Sequence, residues 1–129
     1  MKRRRVLVVE GDMSRASILT QMLKKEGLDH FWVTSTTSAL EMAEYHEHFD
    51  VLLAGLSLPE KAGEHADPYA GYNLAIKIRQ EIPDIKIVFH STTIDVPTAR
   101  GLLPTGLRAP VYFLPKQFLS RDLRKAINR

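Results

Sequence analysis

Side chains able to do chemistry are sparse in this sequence and sit at the ends of apolar runs. Glu10 and Asp12 flank Gly11 just after one such run, where Asp12 can also cap a following helix. His90 stands beside Ser91, and Ser57 lies well upstream. These three could be assembled into a hydrolase-like set, but no acid to orient the imidazole is evident. His90 is also of the type that titrates near neutral pH, although such a residue is more often packed or hydrogen-bonded. Glu60, Glu64, His65 and Asp67 offer metal donors within one stretch, yet nothing in their spacing fixes a coordination geometry. Lys116 puts an ammonium after the last apolar run, while His46 and His48 read as solvated residues at a helix end. Neither GxGxxG, nor GxxxxGK followed by Ser or Thr, nor GxSxG occurs, so no phosphate-cradling turn or nucleophile elbow is written here.

The elements that must position these groups are organised around residues 49–59, FDVLLAGLSLP. The apolar core Val51-Leu52-Leu53-Ala54 shows no polar alternation, which fits a strand buried on both faces; a short buried helix is the competing reading. Gly55 and Pro59 as breakers favour the strand. Reactive groups in open α/β sheets lie just past the carboxyl ends of central strands. The residues at that address are Gly55, Leu56, Ser57, Leu58 and Pro59, none of them acidic or basic.

The same patterning continues along the chain. Arg5–Val9 is a β-branched strand, and Asp12 or Ser14 can cap a helix whose apolar positions are Ile18, Leu19, Met22 and Leu23, ending at Gly27. A short strand at 31–33 carries Trp32, expected in the core or at a sheet edge, and a helix spans 38–46. After the 49–56 strand, residues 59–71 form a loop without periodicity, longer than the usual strand-to-helix connection. A helix over 72–81, a strand over 85–89, one or two helical turns within 98–103, a strand over 111–114 and a helix over 118–128 complete the chain. In that last helix Phe118, Leu119, Leu123 and Ile127 are expected to face inward.

Five strand–helix units force parallel strands with right-handed crossovers. The fold class is therefore α/β: a doubly wound five-stranded parallel sheet of flavodoxin-like order 2-1-3-4-5 in three layers, α/β/α. The 129 residues suffice for one domain spanning 1–129 and are about half of what a closed (β/α)8 barrel needs. Hydrophobic residues make up 44%, a globular composition, and the absence of cysteine excludes disulfides and thiolate chemistry. No apolar run approaches a membrane span, and the acids and Arg15 that follow Val6–Val9 argue against a secretion signal, so a soluble cytoplasmic protein is expected. The net charge of +3 is mild, and the basic run at residues 2–5 lacks an accompanying binding motif, so nucleic-acid binding is not expected.

The chain resembles a response-regulator receiver domain of the CheY-like family from end to end. The likeness is carried by RVLVVEGD, FDVLLAGLSLP, IPDIKIVFHST and YFLPKQF in that order. It implies a third-strand aspartate that accepts a phosphoryl group from a histidine kinase, but counting back from Pro59 places Gly55 there. It implies an acidic, Mg2+-binding cluster at Glu10, Gly11 and Asp12, yet Gly11 stands at the usual metal-binding position. Two switch residues match, Ser91 for the hydroxyl residue that contacts the phosphoryl oxygens and Lys116 for the lysine that pairs with acceptor and phosphate, while Gln117 replaces the following proline. Gly71 matches the glycine that opens the third helix, so residues 60–70 are an insertion bordering the vacant position. That segment, with Glu60, Glu64, His65, Asp67 and Tyr69, is a possible cover for the site, and Tyr69 or Tyr72 a possible plug.

The resemblance then implies a two-component signalling domain, not an enzyme. The leading expectation is a pseudo-receiver that binds proteins, a histidine kinase or a downstream signalling protein, through the face of its fourth helix, fifth strand and fifth helix. No cofactor is expected, with Mg2+ binding weak or absent. The alternatives are a receiver phosphorylated on Ser57, His90 or Asp12, and a small-molecule-binding or enzymatic flavodoxin-like domain.

Overall fold

The computed structural model describes residues 4–45, 48–91, 96–104, 106–108, 110–115 and 117–128. Five parallel strands form the central sheet: β1 (Arg5–Val9), β2 (Asp29–Val33), β3 (Val51–Gly55), β6 (Lys86–His90) and β7 (Val111–Phe113), in the order β2-β1-β3-β6-β7. With the two short strands β4 (Leu58–Pro59) and β5 (Ala66–Asp67) set aside, this is the expected 2-1-3-4-5 order. The helices are α1 (Met13–Lys25), α2 (Thr36–Tyr45), α3 (Ala70–Glu81), α4 (Val96–Gly101) and α5 (Ser120–Asn128). None among the described residues is long and apolar enough to cross a membrane.

The β-branched runs make the sheet because both of its faces are buried. Leu7, Val9, Leu52, Ala54, Ile87 and Phe89 point to one side and pack under α2 and α3 with Ala39, Leu74 and Ile78. Val6, Val8, Val51, Leu53 and Val88 point to the other and pack under α1 and α5 with Leu19, Leu23, Leu123 and Ile127. Every residue of β3 is buried, as expected of a central parallel strand. A buried lysine ties the last helix down: Lys86 Nζ donates to the Ile127 carbonyl at 2.9 Å.

Several local expectations are corrected. Ile18 is exposed, because it stands about 100° around α1 from Leu19 and so off the buried stripe of Ala16, Leu19 and Leu23. Leu119 also faces solvent. It precedes α5, with its N–H donating to Asp122 Oδ2 at 2.7 Å and its carbonyl accepting from the Asp122 and Leu123 amides, so it works as a cap. The segment read as an irregular loop is an antiparallel ribbon in which Leu58 pairs with Asp67 and Pro59 with Ala66. Its Glu60 carbonyl accepts the Thr37 amide at the start of α2, at 3.0 Å. Tyr72 is not a plug: its ring stacks edge-on against Phe89 at 5.2 Å and its hydroxyl donates to the Ala99 carbonyl of α4, inside the core.

Candidate functional site

β1, β3 and β6 end together, and their last residues build the site. Gly55 is in register with His90 across the β3–β6 pair, so the two side-chain positions lie side by side. A Cβ added to Gly55 would meet Glu10 Oε2 at 3.2 Å, Leu58 Cδ2 at 3.3 Å and His90 Cε1 at 3.5 Å. The space a side chain at position 55 would need first is thus ringed by a carboxylate, an aliphatic side chain and an imidazole. A cleft of about 180 Å³ opens beside it, lined by Glu10, Arg15, Ser57, Ala66, His90 and Ser91 together with the backbone at 55–56.

Glu10 is the carboxylate of this cleft. It is 3% exposed, and the Trp32 indole N–H donates to its backbone carbonyl at 2.8 Å, which anchors the end of β1 against the edge strand. Its Oε1 accepts the Asp12 amide at 3.0 Å and lies 3.4 Å from Arg15 Nε, while its Oε2 lies 3.4 Å from His90 Nε2. His90 is 5% exposed, and its Nε2 has no hydrogen-bond partner. Burial pushes the imidazole pKa down from 6.5 to about 4, and the Arg15 charge adds to the fall. Glu10 pulls the other way, but its charge is already shared with Arg15 and an amide, so desolvation prevails and the ring is neutral near pH 7.

The other expected site residues are distributed as follows. Asp12 turns away: it caps α1, its carboxylate accepting the Arg15 amide at 3.0 Å, and that bond holds its pKa below the usual carboxylate range. Gly11 lies against the ribbon, where an added Cβ would stand 2.9 Å from Pro59 Cδ. Ser91 and Ser57 line the cleft, and Lys116 lies outside the described residues. Glu60, Glu64, His65 and Asp67 line a separate groove of about 670 Å³ between α2, the ribbon and α3, and do not close over Gly55. Tyr69 is exposed and absent from the lining of the cleft. The insertion nevertheless reaches the site through Ala66, and Leu58 just before it lies against Gly55.

Sequence reasoning missed Arg15, Leu58 and the depth to which His90 enters. Arg15 had one signal: a cation in the first turn of a helix opposes the helix dipole, which suggests a partner elsewhere. His90 could have been found from parallel register, since the residue level with a glycine inherits the glycine's free space.

For a magnesium ion of the kind that receiver chemistry uses, the donors are a poor match. Gly11 and Gly55 contribute no carboxylate, and Glu10 faces a guanidinium on one oxygen and an imidazole on the other.

The comparisons agree with this architecture. A receiver domain from Methanospirillum hungatei is 22% identical, with a TM-score of 0.75 over 98% of this chain and 91% of that one. The receiver domain of a Pseudomonas aeruginosa sensor histidine kinase, solved with magnesium coordinated in its active-site cleft, is 19% identical with a TM-score of 0.78 over 99% and 97%. The chemotaxis protein CheY4 of Vibrio cholerae is 18% identical with a TM-score of 0.76 over 99% and 98%. No curated protein is significantly similar in sequence. The family model for the response regulator receiver domain matches residues 6–128. With the five-stranded order and the β3 terminus already in place, the chain belongs to the response regulator receiver domain family.

Proposed function

We propose that this two-component signalling domain is a pseudo-receiver: it takes part in signalling by binding proteins and does not turn over an aspartyl phosphate. The observation that carries the reading is Gly55 at the end of β3, with its side-chain space bounded by Glu10, Leu58 and His90. Phosphoryl transfer needs a metal, an acceptor in line and charge to balance the phosphoryl oxygens. A glycine has no carboxylate to form an acyl phosphate, and the donor set around it supports weak or absent Mg2+ binding. The domain acts on no substrate, and it works in the cytoplasm. A histidine kinase or downstream signalling protein docks on the face formed by α4, β7 and α5. The six-residue α4 supports an altered shape for that face.

The test is incubation with acetyl phosphate and Mg2+ followed by intact mass measurement. No gain of mass is expected. A Mg2+-dependent gain of one phosphoryl group, on Ser57, His90 or any other residue, would overturn the reading.

A further inference from the structure

We propose that the face of α4, β7 and α5 receives an acidic partner, a protein segment in which Asp and Glu are interspersed with leucine-like side chains. The inference rests on the reading that this face binds proteins, and it adds the chemistry of the segment that fits. Formal charge is divided unevenly along the chain. Residues 96–129, which include all three elements, hold seven Lys and Arg and one acid, Asp122; residues 1–95 hold eleven and fourteen. The mild net charge of +3 is therefore the sum of a strongly basic C-terminal segment and a net-acidic remainder.

The fold turns that charge outward. Leu123, Ala126 and Ile127 form the buried stripe of α5, so Arg121 and Lys125, one turn apart, stand on its opposite side in solvent. Arg124 leans towards α1, its Nη1 3.7 Å from Glu26 Oε2. The single acid of the segment is engaged within it: Asp122 Oδ2 accepts the Leu119 amide at 2.7 Å. Across the sheet edge, the Arg100 guanidinium lies over the Phe113 ring, 5.1 Å from its centroid. Leu107 anchors its turn in the core and leaves Arg108 exposed beside it. Arg79 reaches the same edge from α3, donating to the Pro110 carbonyl where β7 begins. Burial lowers the Arg79 pKa and the Arg108 charge adds to the fall, so two guanidinium groups are held near enough to repel each other. Like charges gathered at one edge favour an anion that neutralises them.

Apolar side chains among these cations indicate which kind of anion. Leu102 and Leu119 are 42% and 52% exposed, and Val111 and Phe113 are half-buried. β7 has a neighbouring strand on one side only, so its outer edge runs between the two sets of cations. Arginine interleaved with aromatic and aliphatic surface suits a protein partner. A nucleic acid fits less well. An extended polyanion would run from this face on to the net-acidic remainder of the surface, whereas a short segment meets the basic face alone.

The test is fluorescence anisotropy of the full chain with a labelled peptide of interspersed Glu and Leu. Its counterpart with Lys in place of Glu, and a labelled DNA duplex, serve as rivals. The Glu peptide should bind with an affinity that falls about tenfold or more between about 50 and 300 mM salt, and the Lys peptide should not bind. Arg108→Gln, Arg121→Gln and Lys125→Gln should each weaken binding by about two- to fivefold, and the three together should abolish it. Lys24→Gln and Lys25→Gln, exposed on α1, are the controls and should change affinity by less than about twofold. All five side chains stand in solvent, so every variant should keep the urea midpoint of the unmodified chain. Four results would each overturn the proposal: no binding of the Glu peptide, equal binding of the Lys peptide, tighter binding of the DNA, or losses that the α1 controls match. So would self-association of the chain that the face variants abolish in sedimentation, since a second copy would then be the occupant. The pseudo-receiver reading fails on a different measurement, the gain of a phosphoryl group, and the anisotropy results leave it standing.

Discussion

Glycine at position 55 and histidine at position 90 stand level on adjacent strands. A side chain at position 55 would begin in contact with Glu10, Leu58 and the His90 imidazole. Restoring the acid is therefore not a simple reversal. In Gly55→Asp the new Cβ begins 3.2 Å from Glu10 Oε2, so the variant crowds the site and sets two carboxylates face to face. It should lose about 1–3 kcal/mol of stability in urea unfolding and still gain no phosphoryl group by intact mass. The buried His90 also makes stability depend on pH. Unfolded, it binds a proton below about 6.5; folded, it resists until about 4. The unfolded state thus holds more protons in that window, and stability falls as pH drops from 6.5 to 4, by about 3 kcal/mol in all. Above 6.5 this contribution is fully present. The check is the urea midpoint against pH in metal-free buffer, where His90→Leu should flatten the difference between pH 6.5 and 4.

Two elements hold the site to the frame. The ribbon carries Ala66 to the cleft and Leu58 against Gly55 while its Glu60 carbonyl caps α2, so it couples the site mechanically to that helix. α3 is seated against the end of β3 at Gly71, whose amide donates to the Leu56 carbonyl at 2.9 Å. A Cβ there would overlap the Gly55 carbonyl oxygen and the Leu56 backbone. Backbone cannot step aside as a flexible side chain can. Gly71→Ala should accordingly cost more than about 2 kcal/mol, or abolish folding, in thermal or urea unfolding. A comparable substitution at Gly101, which has open space around it, should leave stability within about 0.5 kcal/mol.

At the scale of the whole molecule, two apolar clusters on opposite faces of one sheet carry the stability, and the short α4 joins the first of them through Ala99. That short helix is pinned by Ala99 in the core and by the Tyr72 hydroxyl on the Ala99 carbonyl. Tyr72→Phe removes this bond while keeping the ring on Phe89. It should lower global stability by about 1 kcal/mol and raise amide exchange in α4 more than in α3 or α5, as hydrogen-exchange mass spectrometry would read.

Strand and helix alternation, the doubly buried β3 and the absence of carboxylates at positions 11 and 55 were all legible in the sequence, because each is a property of residues close together along the chain. Two apolar residues face solvent against their patterning: Ile18 lies beside the buried stripe of α1, and Leu119 stands before α5 as a cap. What fills the vacated position was decided only by tertiary structure. His90 reaches it through strand register, Arg15 through the phase of α1, and Leu58 through a ribbon that its own residues do not announce. Contacts between residues far apart in sequence depend on how strands align and helices turn, and local patterning constrains neither.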